Sequence, residues 1–209
     1  PVSKQLEIQN YIYKNALDII HLQEVKTDPD SFSQCKYVMN NFNLFANNKP
    51  DDSYFGTASL VRSDLDVTDI HTDEDGRIII FNAAGCTWGN FYLPAGTSRN
   101  ARISREEYFS LKIPQLMLLR LPQGAAGGDF NSIIVMSDSK KNAQQKMSPS
   151  CRNLVNSFSW VDSYRRLHPN ENQFSRYQPN DADGATRIDR SYQWGRITAL
   201  ESQYHSISF

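Results

Sequence analysis

Five residues of this 209-residue chain combine a reactive side-chain type with a place at the end of an apolar segment. Glu24 closes Asp18-Ile19-Ile20-His21-Leu22-Gln23-Glu24, and Tyr92 lies in Asn90-Phe91-Tyr92-Leu93-Pro94. Asp129 and Asn131 close Gly127-Gly128-Asp129-Phe130-Asn131, and Asp189 sits in Arg187-Ile188-Asp189-Arg190. Strand ends suit catalysis, because the sheet fixes the backbone while the loop leaves the side chain reachable. Hard cations such as Mg²⁺ take oxygen ligands, commonly one or two carboxylates plus water and substrate phosphate, and Glu24 suits that use. Asp129 and Asn131, two apart on a strand, share a face, so one can position a water and the other a phosphate oxygen. Each signal also has an ordinary alternative. Glu24 can cap or pair with the next segment, Asp129 and Asn131 can form an Asx turn after Gly-Gly, and Tyr92 can be a half-buried strand aromatic.

Absent motifs narrow the chemistry. There is no Gly-x-Gly-x-x-Gly, phosphate-loop Gly-Lys-Ser/Thr, Gly-x-Ser-x-Gly, His-Glu-x-x-His or Cys-x-x-Cys, so dinucleotide binding, phosphate-loop hydrolysis, serine hydrolysis and structural zinc lose support. No apolar run approaches the roughly 20 residues of a membrane span. Cys35, Cys86 and Cys151 are too few and too scattered to staple the chain, and no Asn-x-Ser/Thr acceptor occurs, which predicts a reduced, intracellular protein. The formal net charge of −1 hides an asymmetry: residues 1–98 hold 7 Lys/Arg against 13 Asp/Glu, and residues 99–209 hold 15 against 10. An acidic half suits a cation site and a basic half a phosphate-facing surface.

The positioning elements follow from periodicity and turn chemistry. A surface helix is predicted from Ser3, as N-cap, to about Ala16, then a buried strand ending at Glu24. Polar, turn-rich sequence runs through Asp52 to a strand at Gly56–Arg62, and acidic turn residues surround His71 and Asp75-Gly76. Strands Arg77–Asn82 and Gly89–Leu93 form a hairpin around Ala84-Gly85. Arg102 to Leu121 is helical, with Pro114 expected to kink or divide it. A strand at Gly124–Asn131 and a helix from Ser148-Pro149 to Phe158 follow. Strands at Phe174–Tyr177 and Thr186–Gln193 are joined by the turn-rich 178–184 segment, and Ile197–Phe209 is a last strand. Helices fall between strands with no repeat or linker, which predicts one mixed α and β domain over residues 1–209.

Taken in order, Leu22-Gln23-Glu24, Asn90-Phe91-Tyr92-Leu93-Pro94, Gly128-Asp129-Phe130-Asn131 and Arg187-Ile188-Asp189-Arg190 resemble the endonuclease/exonuclease/phosphatase superfamily of deoxyribonuclease I and the apurinic/apyrimidinic endonucleases. Within it the chain most resembles the endonuclease domain of non-LTR (LINE-type) retrotransposons. The cues are Gly56 to Arg62, Pro94-Ala95-Gly96-Thr97 with Arg105-Glu106-Glu107-Tyr108-Phe109, Trp160-Val161-Asp162 with Arg165, Leu167-His168-Pro169, and Phe174-Ser175-Arg176-Tyr177 ahead of Gly184 to Arg190. The resemblance implies a four-layered α/β sandwich, two packed mixed β-sheets flanked by helices. It implies Glu24 as metal ligand, Tyr92 as phosphate contact, Asp129 as the residue that orients or deprotonates the attacking water, and Asn131 as its phosphate-side neighbour. Asp189 matches the aspartate that holds a catalytic histidine.

The implied reaction is Mg²⁺- or Mn²⁺-dependent phosphodiester hydrolysis that nicks double-stranded DNA and leaves a 3′-hydroxyl for a reverse transcriptase domain of the same polyprotein, in the nucleus and away from membranes. Arg99, Arg102 and Arg105 follow the Tyr92 strand, Lys140, Lys141 and Lys146 follow Asn131, and Arg176, Arg187 and Arg190 surround the hairpin before Asp189, where flanking phosphates are expected. By the same resemblance Arg176, Tyr177 and the 178–184 turn enter the minor groove. The family's first strand, with its asparagine, and its closing Asp-His pair are expected outside Pro1 and Phe209, and the 209 residues alone are expected to turn over poorly. His205 is a poor substitute for that histidine. Two other readings stay open: a superfamily phosphoesterase with another phosphodiester or phosphomonoester substrate, and a catalytically silent DNA-docking module.

Overall fold

In the strand Ile78–Ala83, Ile78 and Ile80 join one apolar cluster while Ile79, Phe81 and Ala83 join another, so one strand feeds two cores. That alternation sets the architecture. The computed structural model describes residues 2–25, 40–49, 56–140, 147–178 and 181–202. Helix α1 (Val2–Lys14) precedes β1 (Ile19–Gln23), β2 (Phe42–Asn48), β3 (Gly56–Arg62), β4 (Val67–Thr72), β5 (Ile78–Ala83) and β6 (Cys86–Tyr92). Then come α2 (Arg99–Glu107), a π-helical turn (Tyr108–Lys112), α3 (Ile113–Met117), β7 (Gly124–Asp129), α4 (Pro149–Ser157), β8 (Val161–Asp162), α5 (Ser163–Leu167), β9 (Arg176–Gln178), β10 (Asp181–Thr186) and β11 (Asp189–Trp194).

The strands form an antiparallel sheet β1-β3-β2, a sheet β4-β5-β6-β7-β11-β8 whose β6–β7 pair is parallel, and a separate β9–β10 hairpin. The two larger sheets pack face to face over Val61, Ile79 and Phe81, joined by Ile19, Phe45 and Trp88. Ile12 of α1 covers the outer face of the smaller sheet against Leu60, Ile20 and Leu22. On the outer face of the larger sheet, Phe109, Ile113, Met117 and Leu154 of the later helical segments cover Ile80, Phe91 and Tyr192. The result is the helix–sheet–sheet–helix sandwich expected. No helix among the described residues is long and apolar enough to cross a membrane.

Several boundaries differ from expectation for local reasons. Ser3 lies inside α1 rather than capping it. β1 is half-buried throughout, because it pairs only with β3 among the described residues. β2 and β4 arise in segments read as polar and turn-rich; Phe45 of β2 packs between the sheets while Phe42 and Leu44 pack toward α1, and β4 gives Val67 to the cluster between the sheets. Pro114 does not divide its helix: residues 99–117 keep helical backbone angles throughout, and the widened π turn just before Pro114, which lacks the N–H an α-helix needs there, accommodates the ring. The Ala84-Gly85 turn is as expected, with φ of 52° and 70°, the pair of positive angles that a two-residue hairpin turn requires. β9 pairs with β10, not with β11, since the chain breaks strand geometry at Arg187-Ile188 and β11 returns to the large sheet. Residues 197–202 carry no strand, and 203–209, with His205, lie outside the described residues.

Candidate active site

Strand register brings three of the expected residues into one row. Tyr92 on β6 faces Asp129 on β7, and Asp129 faces Asp189 on β11. β6 approaches β7 this closely because Gly128, at φ 139°, carries no Cβ; one placed there would collide with the Phe91 carbonyl oxygen. Phe130, next along, is fully buried against Phe91, Phe109 and Tyr192 and pins the strand end in the core.

Glu24 reaches this row from the opposite sheet. Along β1, Ile19 packs between the sheets and Ile20 and Leu22 pack toward α1, so a continued strand would aim Glu24 at the helix side. Instead Glu24 takes φ 55°, and the Tyr92 hydroxyl donates to its Oε1 at 3.3 Å. Beneath this contact, buried Asn90 bolts the sheets together. Its Oδ1 accepts from Gln23 Nε2 at 2.6 Å, and its Nδ2 donates to the carbonyls of Ala58 and Leu22 at 2.8 and 3.1 Å.

The electrostatics are those of crowded acids. Burial, then the neighbouring charges of Asp189 and Glu24, push Asp129 up to about 7, against the Asn131 N–H that donates to it. Burial also raises Asp189, partly offset by a hydrogen bond from Ser175. Burial and the Glu24 charge push Tyr92 up to about 12, with Arg77 opposing, so the phenol keeps its proton and can donate.

Asn131 does not stand where the two-residue spacing predicts. β7 stops at Asp129, and Asn131 adopts φ 46°. Its N–H donates to Asp129 Oδ1 at 2.8 Å, the Asx turn weighed above, and its Nδ2 donates to the Leu93 carbonyl at 2.9 Å. The turn, not strand alternation, keeps it beside Asp129.

Two expected DNA contacts are overturned. Arg187 and Arg190 are 2 % and 3 % exposed, with guanidinium groups committed to Asp138 and Asp162. Their charge is spent on those two carboxylates rather than on a phosphate. Arg105 is also buried, with Nη1 donating to the carbonyls of Pro94 and Gly96 at 2.7 and 2.8 Å; it pins the loop after Tyr92. Arg99 and Arg102 on α2, Arg176 and Tyr177 on β9, and Lys140 are exposed. Arg176 lies close enough to Asp129 and Asp189 to lower both electrostatically. Lys141 and Lys146 lie outside the described residues.

Reasoning from sequence missed three supports. Ser175 Oγ accepts from the N–H groups of Ile188 and Asp189 at 3.1 and 3.0 Å, and Arg77 lies over the Tyr92 ring. His21, held down near 4 by burial and bonded to Ser59 Oγ at 2.9 Å, lines a cleft of about 270 Å³ with Gln23, Gly127, Gly128 and Asp189. Only a known hairpin register would have shown the second of these, as Arg77 precedes the Ile78–Phe91 pair. Among the described residues, no three His, Cys, Asp or Glu side chains converge on one point.

No protein-family model matches the sequence, and no curated protein is detectably similar to it. Solved structures are. The 3′ phosphatase NExo from Neisseria, bound to a product DNA hairpin, shares 19 % identity, covering 90 % of this chain and 80 % of its own at a TM-score of 0.71. An AP endonuclease from Archaeoglobus fulgidus shares 18 %, covering 90 % and 81 %, at 0.75. This is the AP-endonuclease fold. The catalytic domain of Xenopus laevis APE2 matches it too, with 16 % identity over 91 % and 79 % of the chains at 0.71. These neighbours bear out the fold class read from the sequence, a deoxyribonuclease I-like sandwich of two packed sheets flanked by helices.

Proposed function

We propose that this chain is a divalent-metal-dependent DNA endonuclease that hydrolyses a phosphodiester to leave a 3′-hydroxyl. The observation that carries the reading is the row Tyr92–Asp129–Asp189 at the strand ends, with Glu24 closing it through the Tyr92 hydroxyl.

The residues present fit a hard cation. Their donors are carboxylate oxygens, and Mg²⁺ commonly takes one or two of these while keeping several waters, so it needs no three-ligand cage. Asp129, raised by burial and by the Asp189 and Glu24 charges, also gains from a cation. Glu24 would hold it, and a divalent ion bound there neutralises charge on the phosphate and leaving oxygen. Asp129, near neutral pH in its proton affinity, accepts a proton from the attacking water. Asn131 fixes the Asp129 carboxylate through its backbone N–H, and Tyr92 donates toward a phosphate oxygen. Exposed Arg99, Arg176 and Tyr177 meet the DNA backbone and groove, while the buried arginines hold the scaffold.

The retrotransposon setting, with a reverse transcriptase in the same polyprotein and nuclear action, rests on the sequence resemblance given above. A second reading has one observation behind it, the solved neighbour described as a 3′ phosphatase. End-labelled duplexes with an internal site and hairpins carrying a 3′-phosphate separate the two. The endonuclease reading expects internal cuts whose ends a polymerase extends without further treatment. Release of inorganic phosphate without internal cuts would move the assignment to a phosphatase.

A further inference from the structure

Arg77 touches Tyr92 three times. Its guanidinium carbon lies 5.2 Å from the centre of the Tyr92 ring, its Nη1 donates to the Tyr92 carbonyl at 3.3 Å, and its own carbonyl accepts from the Tyr92 N–H at 2.9 Å. Register explains the meeting, since Ile78 faces Phe91 and the next position outward sets Arg77 opposite Tyr92. Arg77 is itself anchored. Asp73 Oδ1 accepts from the N–H groups of Arg77 and Ile78, both at 2.7 Å, and Asp73 Oδ2 lies 3.0 Å from the Tyr108 hydroxyl. That hydroxyl also lies 2.8 Å from Asp75 Oδ2, which Lys112 Nζ holds at 2.6 Å. Tyr108 and Lys112 are the two ends of the π-helical turn.

We infer that Arg77 is a positioning residue for Tyr92, a cationic clamp on the ring face that fixes where the phenol points and is braced through Asp73 to the π-helical turn. A phenol's hydroxyl direction is set by the ring's two torsions, and a guanidinium held over one face at cation–π distance restrains both, as a single N–H bond to the backbone does not. The braces explain why a π turn, a costly irregularity, sits far in sequence from the site: it presents Tyr108 and Lys112 to the β4–β5 loop that carries Arg77. The inference rests on the reading of Tyr92 as a phosphate contact.

The test compares Arg77→Met, Arg77→Lys and wild type by metal-dependent nicking and by ¹³C spectra of ring-labelled tyrosine, with the Tyr92 signal identified by its loss in Tyr92→Phe. Arg77→Met is expected to lower kcat about tenfold with KM within about twofold, and Arg77→Lys to recover to within about threefold of wild type. The Tyr92 ring signal is expected to shift in Arg77→Met while the other tyrosines stay in place. An unmoved ring signal overturns the clamp, and so does a tenfold rise in KM at unchanged kcat, which would make Arg77 a direct phosphate grip. If the ring signal shifts but wild type cuts no DNA with any divalent cation, the clamp stands and the endonuclease reading falls.

Discussion

Replacing Asp138 by asparagine removes one negative charge from the centre of a buried ionic cluster. Asp138 is 0 % exposed and accepts from Arg187 Nε at 3.0 Å, Arg190 Nη2 at 3.0 Å and Arg165 Nη2 at 3.1 Å, with the N–H groups of Ile134 and Val135 at 3.3 and 3.4 Å. Asp162 takes Arg187 bidentately at 2.7 and 3.1 Å and is the other acid of the cluster. Burial alone would raise Asp138, but Arg190, Arg187 and Arg165 outweigh it and hold the carboxyl down to about 2. Against the ordinary 3.8, that is worth about 2 kcal/mol of stability, and breaking a buried pair from one side costs about 3–5 kcal/mol. Urea unfolding at pH 7 is therefore expected to show Asp138→Asn less stable by about 2–5 kcal/mol. The sign with pH follows from a depressed folded value: the stabilisation is complete above about pH 4 and disappears as pH falls from 4 toward 2. Asp138→Asn should flatten the acid slope in that window. A loss below about 0.5 kcal/mol, or an unchanged slope, would refute the reasoning. Arg187 and Arg190 flank Asp189, so the Asp138 carboxylate, through those two guanidinium groups, also joins the loop after Asn131 to the Asp189 strand, beside the backbone bond from the Arg187 N–H to the Asp138 carbonyl at 2.7 Å.

Other perturbations separate scaffold from chemistry. Asp129, raised to about 7 in the fold, ionises first in the unfolded chain, so folded stability falls as pH rises from about 4 to 7; Asp129→Asn should show the higher Tm at pH 8 and little difference at pH 4. Equal Tm values at pH 8 would contradict that. Gly128→Ala would force a Cβ onto the Phe91 carbonyl at a φ of 139°, with an expected loss of about 3 kcal/mol or more in urea unfolding; a mutant as stable as wild type would show that β6 and β7 do not need the bare backbone. Arg176→Ala should weaken DNA binding and lower the salt slope by about 1 at unchanged Tm, whereas Arg187→Ala should chiefly unfold the protein, as measured by binding at several salt concentrations beside thermal melts.

Local patterns made the central strands legible. Four consecutive features, an apolar run, Ala84-Gly85, a second apolar run and Pro94, place β5, its turn and the end of β6 to within a residue, while β6 starts three residues earlier than read, at Cys86. β2 and β4 were hidden because their few apolar residues, Phe42, Leu44 and Phe45 in one and Val67 and Ile70 in the other, are interspersed with polar ones such as Asn43, Asn47 and Asp69. The acids of the row were visible as strand ends, but their adjacency depends on a parallel β6–β7 register and an antiparallel β7–β11 register that no local pattern encodes. The arginines show the limit most clearly. Arg187 and Arg190 read as phosphate contacts because charge near a catalytic aspartate suggests substrate, and burial beside Asp138, about 50 residues earlier in sequence, reverses that. Glu24 behaved similarly: its position was evident, while the left-handed turn that aims it at Tyr92 was not.

Nicking of supercoiled plasmid with Mg²⁺ or Mn²⁺, by wild type and Asp129→Asn protein side by side, tests most directly whether this row performs phosphodiester hydrolysis. Metal-dependent nicking that falls by about 100-fold or more in Asp129→Asn, with the mutant folded and still binding DNA, is the expected result. Nicking within about threefold of wild type, or nicking that persists undiminished in excess chelator, would contradict the assignment.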